Sequence, residues 1–307
     1  MIRLNPNVVR LHTRMLNDRG RTGRFIAAIR QTVRPGDVVV DLGTGTGILA
    51  MAAARAGARR VYAIEEAPVG AVARRLFAAN GLAGRVELVP GHSTRVRLPE
   101  RADVLVTETF GHGPLSEDVL VALADARRRL LKPGARIVPS SLHVFGVPVS
   151  IPAQVRDRCL FTPAVRERWA EWYGVDFGAL ARVNRGMAVP QWFDPAQVAT
   201  WPALAPPATL AEVDLATVRG SRVRGAADVL VRRDGALDGV AIYFELRLSP
   251  SVTLSTDPRR VEPDNHWRSP AYLLVEPARV RRGDVVRITY RYTPGDRDER
   301  IGVRLNP

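Results

Sequence analysis

The stretch DVVVDLGTGTGI, Asp37 to Ile48, decides how this chain is read. Three successive valines form a short β-branched apolar run, the pattern of a strand buried on both faces. Gly43, Gly45 and Gly47 follow at alternate positions, and Ile48 to Ala56 is an alanine-rich run that reads as a helix. Glycines let the backbone pass close to a ligand where a side chain would clash. The helix behind them offers unpaired N–H groups and the positive end of its dipole.

Dinucleotide sites use the spacing G-x-G-x-x-G. Here it is G-x-G-x-G, with Asp41 two residues before the first glycine. That form suits a compact nucleoside with an amino-acid tail better than a pyrophosphate. A second strand-like run, Arg60 to Ile64, ends in Glu65, where a carboxylate can accept both ribose hydroxyl protons. The combination predicts an S-adenosylmethionine site built on Asp41, Gly43, Gly45 and Glu65.

Outward from this segment, residues 8–34 read as helical, with a polar loop at Asn17 to Gly20. Helix-like Ala71 to Ala79, strand-like Val86 to Val89 and Asp103 to Thr107, and helix-like Leu120 to Leu131 follow. Pro133-Gly134 is expected to stop that last helix and Ile137-Val138 to open a fifth strand. Strands alternating with helices predict a Rossmann-like parallel sheet, with ligands at the carboxyl ends of its strands. Beyond about residue 140 the pattern becomes mostly antiparallel β: Val144 to Val149, Val213 to Val218, Ala227 to Val231, Gly239 to Leu248, Ala271 to Val275 and Val285 to Tyr292. Thr162 to Asp194, with Trp169, Trp172, Tyr173, Phe177 and Trp192, reads as a helical excursion from it. The expected domains are residues 1–140, cofactor-binding, and 141–307, β-rich, with an inserted arm at about 160–200.

With 307 residues and 46% hydrophobic content, the chain can bury two cores. No apolar run approaches a membrane span, and Met1 to Asn7 lacks a signal-peptide pattern, so a cytoplasmic enzyme is expected. Cys159 is the only cysteine and the five histidines are scattered, which argues against a metal site. The net charge is +14, yet the charges are spread along the chain and Lys132 is the only lysine, as in GC-rich coding. A nucleic-acid role is therefore not expected. Two absences agree: TETF at 107–110 is not the N/D-P-P-F/Y run of base-amino methylation, and Cys159 lies far from that strand.

The predicted fourth strand runs into TETFGHGPLSE, residues 107–117. Glu108 and Glu117 thus flank a glycine-containing loop at a strand's carboxyl end, over the expected methyl donor. That donor is a sulfonium cation, which repels a cationic acceptor. Two unit charges ~3 Å apart at an effective dielectric of about 20 cost about 5 kcal/mol. Two carboxylates offset this and grip a planar guanidinium through paired hydrogen bonds. One terminal nitrogen then faces the methyl carbon in line.

These residues resemble the protein arginine methyltransferases along most of the chain. HTRMLNDRGRT, residues 12–22, is similar to the family's H-x-x-M-L-x-D-x-x-R-T helix. Glu108 and Glu117 match its double-E loop at the same separation. Asn265-His266-Trp267 resembles its T-H-W loop. WYGVD at 172–176 and EVDL at 212–215 resemble segments bracketing its dimerisation arm. The resemblance implies a β-barrel second half and a homodimer. It implies that Arg21 pairs with the cofactor's carboxylate, that His12 and Gly43 touch the cofactor, and that Thr94 faces its adenine, where many members have an acid. It also implies that His266 pairs with Asp18 beside the acceptor, and that Met15 and Trp267 shape the substrate pocket. The sequence departs from the family at Thr109 to His112, where Trp-Met-Gly-Tyr is usual, and at Asn265, where Thr is usual. Strong positive charge repels arginine-rich peptides. Free L-arginine, with its carboxylate, is the expected acceptor, and peptide arginine is the alternative. Family members in bacterial natural-product pathways act on such small substrates.

Overall fold

In the computed structural model, described for residues 4–183, 185–296 and 299–306, the glycine stretch lies at the centre of a parallel sheet. Met1 to Arg3 of the leading segment and Asn184 of the excursion lie outside the described residues. Helices α1 (Pro6–Asn17) and α2 (Arg19–Thr32) meet at Asp18. Its carboxylate accepts the Arg21 N–H at 2.9 Å, capping α2. There follow β1 (Val38–Leu42), α3 (Ile48–Arg55), β2 (Arg60–Glu65), α4 (Gly70–Ala79), β3 (Val86–Pro90), β4 (Ala102–Thr107), α5 (Val119–Arg129) and β5 (Leu131–Val138). The five strands are parallel in the order β3-β2-β1-β4-β5. Val38, Val39 and Val40 are fully buried, as the apolar run required.

The strand order reverses between β1 and β4, the crevice where open α/β sheets bind ligands. There Leu42 pairs with Thr107, whose hydroxyl donates to the Leu42 carbonyl at 3.1 Å. The glycine turn and the Glu108 loop therefore leave the sheet side by side.

The second half holds β6 (Ser141–Val149), α6 (Ala153–Cys159), α7 (Pro163–Tyr173), β7 (Ala188–Phe193), α8 (Pro195–Ala199), β8 (Ala208–Asp214), β9 (Val223–Leu230), β10 (Gly235–Ser249), β11 (Val252–Ser255), β12 (Ser269–Val280), β13 (Val285–Tyr292) and β14 (Arg300–Asn306). One antiparallel sheet runs β7-β12-β10-β6-β8, with β11 on β10, and a second runs β14-β13-β9. The two sheets close on each other in a barrel-like layer, β8 meeting β9 and β14 meeting β7. At Gly225 a Cβ would stand 1.7 Å from the Leu210 carbonyl oxygen, so only glycine permits that closure.

Four expectations are corrected. Helix α5 stops at Arg129, before Pro133: Leu131 already pairs with Ala102 in β5, and the Arg101 guanidinium binds the carbonyls of Arg128 and Leu131. Ile137 and Val138 therefore close the fifth strand, and do not open it. The run from Val213 ends at Asp214, whose carboxylate takes the N–H groups of Ala216 and Thr217 and turns the chain. Trp192 belongs to β7, an edge strand on β12 that carries Pro190, and not to a helix.

Candidate functional site

One cavity of about 740 Å³ opens at the β1/β4 switch. Its floor is the glycine turn. Gly43, Gly45 and Gly47 hold φ of +69°, +55° and +84°, the left-handed region that favours glycine. The N–H groups of Gly43 and Thr44 both donate to the Ile64 carbonyl at 3.0 Å. Asp41 lies beneath the turn, 1% exposed, and accepts the Thr44 hydroxyl. It supports the floor without lining the cavity. Burial pushes its carboxyl up to about 7, against the Thr44 and Ala50 hydrogen bonds and with the Glu65 charge.

Glu65 accepts the Gly45 N–H through Oε2 and the Ala67 N–H through Oε1, each at 2.8 Å. A carboxylate has about four lone-pair sites, so one remains on each oxygen. That pair of acceptors fits the two hydroxyls of a ribose diol. His12, from α1, leans over the turn: a Cβ on Gly45 would stand 2.9 Å from its Cε1.

The wall is charged. Arg21, 7% exposed, forms an ion pair with Glu108, and its Nη2 donates to the Met15 carbonyl at 2.9 Å. Its Nε is buried without a hydrogen-bond partner among the described residues. An orphaned guanidinium donor beside the cavity fits the carboxylate of the cofactor's amino-acid tail. Burial raises Glu108 to about 8; Arg21 opposes this, while the charges of Glu117 and Asp18 add to it. Glu117 opens onto the cavity, and burial raises its carboxyl too. It has no hydrogen-bond partner among the described residues.

The T-H-W-like loop closes the mouth. The His266 ring Nδ1 lies 2.8 Å from Asp18 Oδ2, which also accepts the His266 backbone N–H at 3.0 Å. Asp18 thus caps α2 and orients His266 at once. Burial disfavours the Asp18 charge, but the hydrogen bonds from His266 and Arg21 outweigh it and lower the carboxyl. Burial lowers His266, against the Asp18 hydrogen bond, and so favours the neutral ring. Trp267 is buried, and its indole N–H donates to the Phe110 carbonyl at 2.9 Å, fastening the glutamate loop.

His12, Met15, Arg21, Gly43, Gly45, Glu65, Glu108, Glu117, His266 and Trp267 all line this cavity. Asp18 stands behind His266, outside it. Thr94 does not line it, and faces a separate surface cavity with Asp125 and Lys132; its neighbours His92 and Ser93 line the site. Among the described residues no cluster could hold a metal ion.

Sequence reading missed Glu299. Its Oε1 accepts the Leu115 N–H at 2.9 Å, and its Oε2 fills the space a Cβ on Gly113 would need, 2.0 Å away. It also missed that Asp118, at φ +54°, accepts the Tyr292 hydroxyl and the Gly295 N–H. These contacts pin the Glu108–Glu117 loop from the C-terminal strands. No local pattern announces them. His112 is a third omission: its Nδ1 accepts the Arg268 N–H at 3.1 Å.

The chain is similar to known proteins along most of its length. Residues 153–304 match the arginine methyltransferase oligomerization subdomain, and residues 20–144 match ribosomal protein L11 methyltransferase (PrmA). An arginine N(omega)-methyltransferase of Streptomyces achromogenes subsp. streptozoticus is 32% identical over 91% of this chain and 75% of its own length. The probable protein arginine N-methyltransferase 6 of Arabidopsis thaliana is 30% identical over 78% of this chain, which spans 55% of that longer protein. The Trypanosoma brucei PRMT1 enzyme–prozyme heterotetrameric complex with AdoHcy has the same fold, with a TM-score of 0.83, 24% identity, and coverage of 96% and 92% of the two chains. With a Rossmann-like sheet, a barrel-like second half and relatives of this kind, the chain belongs to the protein arginine methyltransferase family, S-adenosylmethionine-dependent enzymes that methylate the arginine guanidinium.

Proposed function

We propose that this enzyme methylates the Nω nitrogen of free L-arginine or a closely related small guanidine. The observation that carries the reading is the pairing of Glu108 and Glu117 on one cavity inside a chain of net charge +14. The carboxylates supply a local guanidinium clamp, while the long-range field repels arginine-rich peptides. The Streptomyces relative, an arginine N(omega)-methyltransferase by name, supports the same acceptor. The plant relative's name favours a protein substrate instead, and the test below separates the two.

In this reading, Glu65, Gly43, Gly45 and His12 hold the nucleoside, with Asp41 stiffening the turn beneath it, and Arg21 holds the amino-acid tail. The cofactor supplies an electrophilic methyl group. A guanidinium bound beside Glu108 and Glu117 offsets their burial and favours their ionised form; the pair then holds it through paired hydrogen bonds, turns one nitrogen toward that methyl, and concentrates electron density on it. Met15 and Trp267 bound the space beside the acceptor. Asp18, held ionised, accepts the hydrogen bond of the His266 Nδ1–H, so Nε2 keeps its lone pair and can accept the proton released on methylation. We assign the cofactor to the half before about residue 140 and the acceptor to its junction with the second half. The exposed Trp172, Tyr173, Val175 and Val183 of the excursion support a homodimer made through that arm.

The test is mass spectrometry of purified protein incubated with S-adenosylmethionine and L-arginine, beside an arginine-rich peptide. One or two methyl groups on the free guanidinium are expected. Modified peptide with unmodified arginine overturns the free-acid assignment.

A further inference from the structure

The departure from the family inside the glutamate loop has a physical use. His112 stands in that loop, between the two glutamates, and lines the same cavity. Its Nδ1 is occupied as an acceptor by the Arg268 backbone N–H. Burial, reinforced by the charges of His266, Arg14 and Arg268, pushes the ring down to about 4, so it is neutral at pH 7. A neutral imidazole that accepts at Nδ1 carries its proton on Nε2. His112 is therefore a fixed hydrogen-bond donor at the cavity.

Two guanidinium groups flank it. Arg14, on α1, reaches across the mouth, its Nη2 donating to the His266 carbonyl at 3.3 Å. Arg268 follows the T-H-W-like loop directly and is exposed. Neither has a carboxylate partner among the described residues, whereas Arg21 and Arg24 nearby are paired with Glu108 and Glu262. The cavity is thus lined by two carboxyls, Glu108 and Glu117, with the His112 donor in the loop between them, and the Arg14 and Arg268 guanidinium groups lie just outside its lining, close enough to lower the His112 ring. A molecule with a guanidinium at one end and a carboxylate at the other matches that arrangement in sign. Arginine within a peptide does not, because its carboxyl is a neutral amide.

Resting on the free-arginine reading above, we infer that Arg14, His112 and Arg268 form the subsite for the α-carboxylate of the acceptor and so select a free amino acid over a peptide. The guanidinium groups grip the carboxylate as charge-assisted donors, and His112 fixes its orientation from inside the mouth.

The test compares L-arginine with L-argininamide, which keeps the guanidinium and replaces the α-carboxylate with a neutral amide, assayed at about pH 6.5 where the α-amino groups of both are mostly protonated. For the wild-type enzyme kcat/KM is expected to favour L-arginine by about 10–100-fold, as for loss of a charged hydrogen bond. In Arg14→Gln/Arg268→Gln that ratio collapses toward one, through a raised KM for L-arginine at a kcat that holds. His112→Phe narrows the ratio by a smaller factor. Binding of S-adenosylhomocysteine, followed by calorimetry, reports that each variant is folded. Equal use of the two compounds by the wild-type enzyme, or an unchanged ratio in the double variant, overturns the carboxylate subsite and leaves the small-guanidine reading standing. Methylation of peptides alone overturns both.

Discussion

The two ends of the cavity are built by different means. The floor is local: Asp41 to Gly47 and Glu65 come from adjacent parallel strands, and most of its hydrogen bonds are made by the backbone. The mouth is assembled from segments remote in sequence, with Asp18 held to His266, Phe110 to Trp267, Leu115 to Glu299 and Arg268 to His112. A floor made of backbone tolerates little change in shape. A mouth made of side chains can be retuned one contact at a time.

The contrast is broken most directly at Asp41, the one buried carboxyl of the floor. Its folded value of about 7 lies above the ordinary 3.8. Between those values the unfolded chain has lost the proton that the folded chain keeps. Folding stability is therefore greatest below the ordinary value, falls as pH rises through the window, and levels off above about 7. At about 1.4 kcal/mol per unit, the loss amounts to as much as about 4 kcal/mol. Asp41→Asn keeps an acceptor for Thr44 and removes the titration. Thermal unfolding at pH 5 and pH 8 is expected to show a steeper decline in the wild-type protein than in the variant. Parallel declines would mean that Asp41 is not the source.

At the mouth, Glu117→Gln tests whether charge or only a hydrogen bond is required. Glutamine keeps one acceptor and replaces the other with a donor that faces the guanidinium. A loss of about 2–4 kcal/mol of transition-state stabilisation is expected, the scale of removing one oriented electrostatic group. Steady-state kinetics reads this as a fall in kcat of about 30- to 1000-fold with cofactor affinity unchanged. Near-normal turnover would refute the clamp. Glu108→Gln, by contrast, also strips the charge partner from buried Arg21, so cofactor binding falls with it.

The same division governs what the sequence discloses. The floor was legible because a buried parallel strand is a continuous apolar run and the glycines beside it punctuate the turn. Strands β6, β10, β12 and β13 were visible for a similar reason. Strands β7, β11 and β14 were not: Ala188–Phe193 contains a proline, Val252–Ser255 is four residues long, and Arg300–Asn306, though its Ile301, Val303 and Leu305 alternate, is masked by the charged run that precedes it. At the mouth, Glu108 and Glu117 were legible from their place at a strand's carboxyl end and from the charge of the expected donor, whereas His266 was recognised only through resemblance to a family. Glu299 was beyond either route, because its partner Leu115 stands 184 residues away and a buried carboxylate near a chain terminus has no local signature. Thr94 was assigned through the same resemblance, but it turns to the neighbouring surface cavity, its hydroxyl 2.7 Å from the His92 ring, while His92 and Ser93 line the site.

Asp18 belongs to both constructions, as the cap of α2 and the orienting partner of His266, and the smallest of the expected effects separates these roles. Asparagine caps a helix as well as aspartate does, while alanine costs about 1 kcal/mol. Asp18→Asn should therefore unfold at nearly the wild-type temperature, yet it no longer places a negative charge beside the imidazole. The ring then becomes a weaker proton acceptor. A fall in kcat of about tenfold is expected, the low end of what a positioned acid–base group contributes, with the limb of the pH–rate profile that reports His266 displaced to lower pH. Asp18→Ala adds the loss of the cap to that kinetic defect. If Asp18→Asn turns over at the wild-type rate and only Asp18→Ala is impaired, the aspartate is a helix cap that happens to touch a histidine, and proton acceptance at the mouth must be sought at a different side chain.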